Sequence, residues 1–166
     1  MADTEAIASL AKALVGELIE RGRTVATAES CTGGWIAKAL TDIGGSSQCF
    51  GYGIVSYSNE AKQALLDVSS DSLETDGAVS ESVVTEMVAG VLALSGADIG
   101  VAVSGIAGPD GGTDDKPVGT VWFAWATSGS RPIAERRHFD GDREAVRSQT
   151  VVHALWLLRE ALHRLG

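Results

Sequence analysis

The stretch Thr27-Ala28-Glu29-Ser30-Cys31-Thr32-Gly33-Gly34 follows a short apolar run and leads into a helical pattern, which predicts a strand, a turn of small residues and a helix N-terminus. Backbone N–H groups at such a junction lack intrahelical acceptors, and the positive end of the helix dipole lies beside them. An anion or a developing oxyanion is stabilised there. Ser30 and Cys31 are both potential nucleophiles, although a serine at this place can equally serve only as a helix cap.

Length and composition limit what such a site can belong to. The chain has 166 residues, which is close to the usual size of one domain, and we expect a single domain over residues 1–166. The net charge of −9 gives no basic surface for a phosphate backbone, so we expect no nucleic acid partner.

The cysteines and the N-terminus indicate where the protein works. Cys31 and Cys49 form neither a CxxC pair nor a disulfide framework, which is typical of a reducing compartment. The N-terminus lacks the features of a signal peptide, and no apolar run approaches membrane-spanning length. We therefore expect a cytoplasmic protein with no membrane partner.

Helical periodicities alternate with apolar or β-branched runs along the chain. Apolar residues at helical spacing predict a first helix that is capped by Asp3 or Thr4 and ended by Gly22. Further helices are predicted over residues 32–43, over residues 59–66 after a Ser58 cap, from a Ser80 cap to Gly96, and after an Asp142 cap. Strands are predicted over residues 24–28, 49–57, 98–103, 118–127 and 132–139. The polar, serine-rich segment from Asp67 to Ala78 is predicted to be a connecting loop beside the site.

This alternation of elements predicts the fold class. The last two strands are close enough in sequence to form an antiparallel hairpin, whereas the other strands are separated by helices. Helices that alternate with strands predict an α/β protein, a three-layer α/β/α sandwich with a mixed, mainly parallel sheet.

A second segment with chemical potential is Tyr57-Ser58-Asn59-Glu60-Ala61-Lys62. Tyr57 is expected at the end of a strand and Lys62 about one turn into the next helix, so both face the crevice where α/β sheets bind ligands. A lysine can act as the base for a serine when its pKa is lowered by burial and by neighbouring positive charge. Taken singly, such a lysine is more often a solvated surface charge, and such a tyrosine a half-buried strand residue.

A third segment, residues 104–113, follows the most apolar predicted strand and holds four glycines around one proline. Such a loop can wrap a ligand with backbone groups, or it can be a flexible surface turn. Its position at the C-terminal end of a buried strand favours ligand contact.

Residues 28–34 (AESCTGG), 55–62 (VSYSNEAK), 77–80 (GAVS) and 102–112 (AVSGIAGPDGG) together resemble the CinA C-terminal domain family. The resemblance spans nearly the whole chain in order. It implies a nicotinamide mononucleotide deamidase, which converts that nucleotide to nicotinic acid mononucleotide and ammonia in pyridine nucleotide salvage. Some members carry this domain behind a larger N-terminal domain, and the present chain resembles the stand-alone form.

The resemblance also implies roles for residues of the site. Ser30 is the expected nucleophile, Lys62 its general base and Tyr57 a third member of the hydrogen-bonding group. The expected oxyanion donors are the backbone N–H groups of Cys31, Thr32 and Gly33. Cys31 is then a buried neighbour of the nucleophile.

The phosphate of a nucleotide substrate requires an anion site. The candidates are the backbone of the glycine-rich loop and a positive side chain, Arg143 or Arg147. Arg143 can instead be a surface residue at the start of the last helix without a role in binding. The substrate contacts that we expect are Gly34, Gly105, Ala107, Gly108, Gly111, Gly112 and Arg143.

The chain offers no convincing metal ligands. Its histidines, His138, His153 and His163, form no HExxH pair, and its two cysteines do not cluster with them. Asp110, Asp114 and Asp115 lack the ligand spacing of a calcium loop. We expect no metal and no cofactor.

Two functions of other classes remain open at this point. One is a nucleotide-binding module without catalysis, and the other is an interaction protein connected with DNA uptake or damage response. The acidic composition argues against direct DNA contact. Exposure of one of the tryptophans, Trp35, Trp122, Trp125 or Trp156, would favour a protein partner, and we expect a homo-oligomer that covers such a residue and a short edge strand.

Overall fold

Residues 2–166, the part of the chain that the computed structural model describes, form six α-helices, a short 3-10 helix (Ser46–Gln48) and five strands. The helices are α1 (Ala2–Arg21), α2 (Trp35–Thr41), α3 (Asn59–Leu66), α4 (Ser70–Asp76), α5 (Glu81–Ser95) and α6 (Arg143–Arg164). The strands are β1 (Val25–Glu29), β2 (Phe50–Val55), β3 (Ile99–Gly105), β4 (Thr120–Thr127) and β5 (Ile133–His138).

The strands form one sheet in the order β2-β1-β3-β4-β5. Strand β1 pairs in parallel with β2 and β3, whereas β4 pairs antiparallel with β3 and β5. Among the strands of residues 2–166, β4 alone runs opposite to the others, which confirms a mixed, mainly parallel sheet. The predicted hairpin of β4 and β5 is also confirmed.

Helices cover both faces of this sheet. Helices α1, α2 and α6 pack on one face against the larger side chains of the central strands, such as Val101 and Phe123. Helix α5, with Leu66 of α3, packs on the other face, where the strands present Ala102 and Ala124. These alternating large and small residues let α5 lie close to the sheet, and the arrangement confirms the three-layer architecture. Within residues 2–166, no helix combines the length and the apolar character needed to cross a membrane.

Local capping predictions are confirmed for three helices. The side chains of Ser58, Ser80 and Asp142 accept hydrogen bonds from the N–H groups of Ala61, Val83 and Ala145, respectively. Each bond satisfies a donor that the first helical turn leaves without a partner.

Other local predictions are wrong. Helix α1 already contains Asp3 and Thr4, so neither residue caps it. Residues 67–78 are not a simple loop, because α4 forms there with Ser69 as its cap. Helix α2 begins at Trp35 rather than at residue 32, since Gly34 is its N-cap and adopts a left-handed φ of 102°. The residues between β1 and α2 are therefore a turn that precedes the helix.

Candidate active site

The site lies where β1, β2 and β3 end, as α/β sheets generally place their ligands. Ser30 directly follows β1, and its N–H donates to the carbonyl of Val103 on β3 at 3.1 Å. On the other side of β1, the N–H of Ser56 donates to the carbonyl of Glu29 at 2.9 Å. The ends of three neighbouring strands thus fix the backbone on which Ser30 stands.

Lys62 reaches Ser30 from the second turn of α3. Its Nζ lies 2.9 Å from Ser30 Oγ, 2.9 Å from the carbonyl oxygen of Ser56 and 3.2 Å from that of Tyr57. Lys62 is 1% exposed and Ser30 is 8% exposed. The structure therefore brings the predicted nucleophile and base into direct contact in a buried setting.

Burial lowers the pKa of Lys62, although the neighbouring Cys31 opposes this effect. Charged ammonium is penalised because the interior solvates it poorly. A neutral amine has two N–H groups and one lone pair, which match the two carbonyl oxygens and the Ser30 hydroxyl that surround Nζ. The site is thus built to hold an amine that can accept the Ser30 proton.

Cys31 is the other candidate nucleophile, and its surroundings disable it. Burial raises the pKa of the Cys31 thiol to about 12, and the nearby Glu29 raises it too, while its own backbone N–H, Arg147 and Lys62 oppose the shift. The reactive form of cysteine is the thiolate, so this thiol is inert at neutral pH.

Backbone hydrogen bonds of the turn between β1 and α2 determine which N–H groups remain free. The Gly33 N–H donates to the carbonyl of Ser30 at 3.1 Å, and the Trp35 N–H donates to that of Thr32 at 3.1 Å. Within residues 2–166, the N–H groups of Cys31 and Thr32 donate to no backbone carbonyl. Of the three predicted oxyanion donors, Cys31 and Thr32 therefore have unengaged N–H groups, whereas the N–H of Gly33 is held by the Ser30 carbonyl.

A buried carboxylate, Glu29, holds this turn from the sheet side. Its Oε1 accepts hydrogen bonds from Thr32 Oγ1 at 2.6 Å and from the Ile36 N–H at 2.9 Å, and its Oε2 accepts from the Ala37 N–H at 3.0 Å. Glu29 thereby satisfies two free donors at the start of α2. Glu29 lies within the AESCTGG motif, but no local pattern in the sequence indicates this role.

Arg147 holds the same turn from α6. Its Nε donates to the carbonyl of Cys31 at 3.1 Å, its Nη2 donates to that of Thr32 at 3.2 Å, and its guanidinium carbon lies 5.5 Å from the centre of a Trp35 ring. Because Arg147 does not line the cavity beside Ser30, the expectation that it binds a phosphate is not supported.

Tyr57 and Arg143 form the outer part of the site. Arg143 Nη2 donates to the Tyr57 hydroxyl at 3.2 Å, and Nη1 donates to the carbonyl of Gly108 at 2.8 Å. Tyr57 belongs to the hydrogen-bonded group of Ser30 and Lys62 through its backbone, whereas within residues 2–166 no hydrogen bond joins its hydroxyl to either residue. Tyr57 contacts Lys62 through its carbonyl instead.

A cavity of about 290 Å³ opens beside Ser30 and Lys62. The predicted contacts that line it are Gly105, Ala107, Gly108, Gly111 and Arg143. Gly34 and Gly112, which were also predicted as contacts, are not among the residues that line it. The cavity is also lined by Ser104, Asn59, Ala78 and Val79, which were not predicted as substrate contacts.

Metal ligands are not gathered at this site. Within residues 2–166, no group of three or more His, Cys, Asp or Glu side chains could hold a metal ion. His153 instead pairs with Glu135, and His163 pairs with Glu17.

Comparison with known proteins extends this description. The CinA C-terminal domain model matches residues 7–162. The chain is 56% identical over 145 residues to the nicotinamide-nucleotide amidohydrolase PncC of Escherichia coli K12, which covers 87% of this chain and 88% of the relative. It is also 56% identical over 149 residues to the protein of that name from Pseudomonas putida, with 90% and 92% covered.

A solved structure gives the same result. The crystal structure of a competence-damaged protein (CinA) superfamily protein from Klebsiella pneumoniae superposes with a TM-score of 0.90 at 44% identity. The match covers 95% of this chain and 98% of that one. Sequence, fold and site geometry agree, and the chain belongs to the CinA C-terminal domain family.

Proposed function

We propose that this protein is a nicotinamide-nucleotide amidohydrolase, which converts nicotinamide mononucleotide and water to nicotinic acid mononucleotide and ammonia. The contact between Ser30 Oγ and the buried Lys62 Nζ carries the proposal, because it pairs a nucleophile with a base of lowered pKa. The names of relatives that are 56% identical over most of the chain support the same activity.

The reaction begins with attack on the carboxamide. Neutral Lys62 accepts the hydroxyl proton of Ser30, and Ser30 Oγ forms a bond to the carboxamide carbon of the nicotinamide ring. The two amine hydrogens remain bonded to the carbonyls of Ser56 and Tyr57, so the lone pair stays directed at Ser30. The product of this step is a tetrahedral intermediate with a negative oxygen.

The free N–H groups of Cys31 and Thr32 stabilise that oxygen. One well-placed donor of this kind contributes about 3 to 4 kcal/mol to the transition state. The intermediate collapses when its C–N bond breaks, and Lys62 returns the proton to the leaving nitrogen, which departs as ammonia. An ester between Ser30 and the nicotinoyl group remains.

Water completes the cycle. Lys62 takes a proton from a water molecule, whose oxygen attacks the ester carbon, and the bond to Ser30 Oγ breaks as Lys62 returns the proton to Ser30. Nicotinic acid mononucleotide leaves. The net consumption is one water molecule, and no step uses a cofactor.

Arg143 and the glycine-rich loop receive the 5′-phosphate in this proposal. Arg143 lies at the first position of α6 and uses two of its nitrogens on Gly108 and Tyr57. A guanidinium has five N–H donors, so others remain for phosphate oxygens.

The proposed activity also suggests the domain organisation, the compartment and the oligomeric state of the protein. We propose a single amidohydrolase domain that acts in cytoplasmic pyridine nucleotide salvage. We also propose a homo-oligomer, because Trp156 on α6 is 48% exposed and Tyr52 on the edge strand β2 is 45% exposed. Edge strands with exposed apolar residues are commonly covered by another chain.

Ammonia release from nicotinamide mononucleotide tests the activity. The purified wild type, Ser30→Ala, Lys62→Ala and Cys31→Ala proteins are compared with a metal chelator present throughout. We expect turnover by the wild type and Cys31→Ala, and loss of turnover in the other two. A folded wild type that binds the nucleotide but releases no ammonia would refute the proposal in favour of a binding module.

A further inference from the structure

Arg147 contacts the turn between β1 and α2 that carries Ser30, although it lies 116 residues from Cys31 in the sequence. It bonds two successive carbonyls of the turn, those of Cys31 and Thr32, and its guanidinium faces the ring of Trp35. Two hydrogen bonds from one planar group set a direction as well as a distance. Arg147 therefore restrains the orientation of the peptides that it contacts.

Peptide geometry transmits this restraint to an N–H group. The cis peptide bond within residues 2–166 is Gly108–Pro109, so the bond between Cys31 and Thr32 is trans. In a trans peptide the C=O and N–H bonds point in opposite directions. Because Arg147 holds the Cys31 carbonyl towards α6, the Thr32 N–H points away from α6.

The Thr32 N–H is a buried donor that lacks an acceptor among residues 2–166. Buried N–H groups without a partner are rare because each costs free energy. Glu29 holds the Thr32 hydroxyl at 2.6 Å and prevents the residue from rotating to satisfy its N–H elsewhere. The turn is thus restrained from both sides while this donor stays free.

We propose that Arg147 is a positioning residue that directs the Thr32 N–H at the oxygen of the tetrahedral intermediate. This inference rests on the proposed function. Arg147 touches neither the substrate nor Ser30, and it acts through the peptide that joins Cys31 to Thr32. Loss of its guanidinium leaves the Cys31 carbonyl without a donor and frees that peptide to rotate.

The Arg147→Lys variant tests the proposal, because an ammonium keeps the charge but cannot bond two carbonyls as a planar fork. We expect kcat to fall by about tenfold to a hundredfold, approaching the loss of one oxyanion donor, while KM changes by less than about twofold. The matched control is Arg159→Lys on the same helix, which pairs with Glu17 and should leave kcat unchanged. An unchanged kcat in Arg147→Lys, or an equal loss in the control, overturns the proposal.

A tetrahedral analogue provides a second readout. Pyridine-3-boronic acid forms a bond from boron to Ser30 Oγ, with the Ser30 proton passing to Lys62, and the anionic tetrahedral boronate places a hydroxyl where the intermediate has its negative oxygen. We expect Arg147→Lys to weaken this adduct by the same factor as kcat, and to leave binding of nicotinic acid mononucleotide unchanged. Equal weakening of the adduct and of the nucleotide would assign Arg147 to phosphate binding or to general stability, and would refute the proposal.

The two readouts separate this inference from the proposed function. A wild type that releases no ammonia refutes the amidohydrolase assignment, whereas the boronate comparison still measures how Arg147 affects a tetrahedral adduct on Ser30. If the wild type forms no adduct, the inference itself is refuted. Should Arg147→Lys fail to fold, Arg147→Gln is measured instead. Its planar amide can still donate to one carbonyl, so kcat should fall, but by less than is expected for Arg147→Lys.

Discussion

Replacing Lys62 with methionine removes the amine and keeps an unbranched side chain in the buried space. Lys62 Nζ contacts the Ser30 hydroxyl at 2.9 Å and two carbonyl oxygens at 2.9 and 3.2 Å, and methionine provides none of these interactions. Ser30 then has no proton acceptor. Loss of a general base typically costs about 10²- to 10⁴-fold in rate, or about 3 to 5 kcal/mol of transition-state stabilisation.

Steady-state ammonia release from nicotinamide mononucleotide measures this loss. We expect kcat of Lys62→Met to fall by about a hundredfold or more, while nicotinic acid mononucleotide still binds through the unaltered Arg143 region. The control is Lys38→Met, which removes a surface lysine paired with Asp42 and should leave kcat unchanged. A Lys62→Met protein that keeps more than about a tenth of the wild-type kcat would show that Lys62 is not the base.

Three further predictions concern pH, the thiol and the packing of the helices. Because only neutral Lys62 accepts a proton and burial lowers its pKa, kcat/KM should rise with pH and level off below 10.5, the ordinary lysine value; a rise that continues through 10.5 would contradict this reasoning. The Cys31→Ala protein should keep its rate within about threefold, since a thiol with a pKa of about 12 is not a nucleophile, and ammonia release checks this. In Gly90→Ala the new Cβ would lie 2.1 Å from the Leu66 carbonyl oxygen, so we expect a loss of about 3 kcal/mol and a fall in Tm of about 6 to 12 °C. Gly16→Ala, where an added Cβ meets nothing within 4 Å, should raise Tm by about 1 to 4 °C. Thermal unfolding measures both variants, and Tm shifts of the same sign would contradict this steric reasoning.

Local chemistry was sufficient to predict several elements of the fold. The caps of α3, α5 and α6 are short-range interactions in which a serine or aspartate side chain bonds an N–H three residues later. Such contacts depend on neighbouring residues alone, and a sequence displays them directly. The hairpin of β4 and β5 was predictable for the same reason, since its strands are joined by a short turn.

The elements that were mispredicted lack a local signal or depart from it. Helix α4 spans seven residues, and Leu73 is its one buried residue, so no apolar periodicity marks it. Helix α1 already contains Asp3 and Thr4, although both residue types have low helix propensity and favour caps, so the local signal pointed to a later start. The start of α2 depends on Gly34 and on the carboxylate of Glu29, whose bonds to Ile36 and Ala37 cannot be deduced from apolar spacing.

The site likewise contains residues that local motifs predict and residues whose contacts depend on tertiary packing. Ser30 and Lys62 stand in motifs at the ends of β1 and β2, and the parallel pairing of those strands brings them together as the sequence predicted. Arg147 acts across 116 residues through backbone carbonyls, and that contact depends on how α6 packs on the sheet. The hydroxyl of Tyr57 turns to Arg143 for a related reason, since α6 also places that arginine.

Mass spectrometry of the Ser30 peptide during turnover tests the central claim most directly. Wild-type protein mixed with nicotinamide mononucleotide is quenched in acid at successive short times and digested. We predict a Ser30 peptide that carries the acyl group of nicotinic acid mononucleotide, and no such adduct in Ser30→Ala. A wild type that releases ammonia while its Ser30 peptide stays unmodified at every time would contradict the assignment of Ser30 as nucleophile.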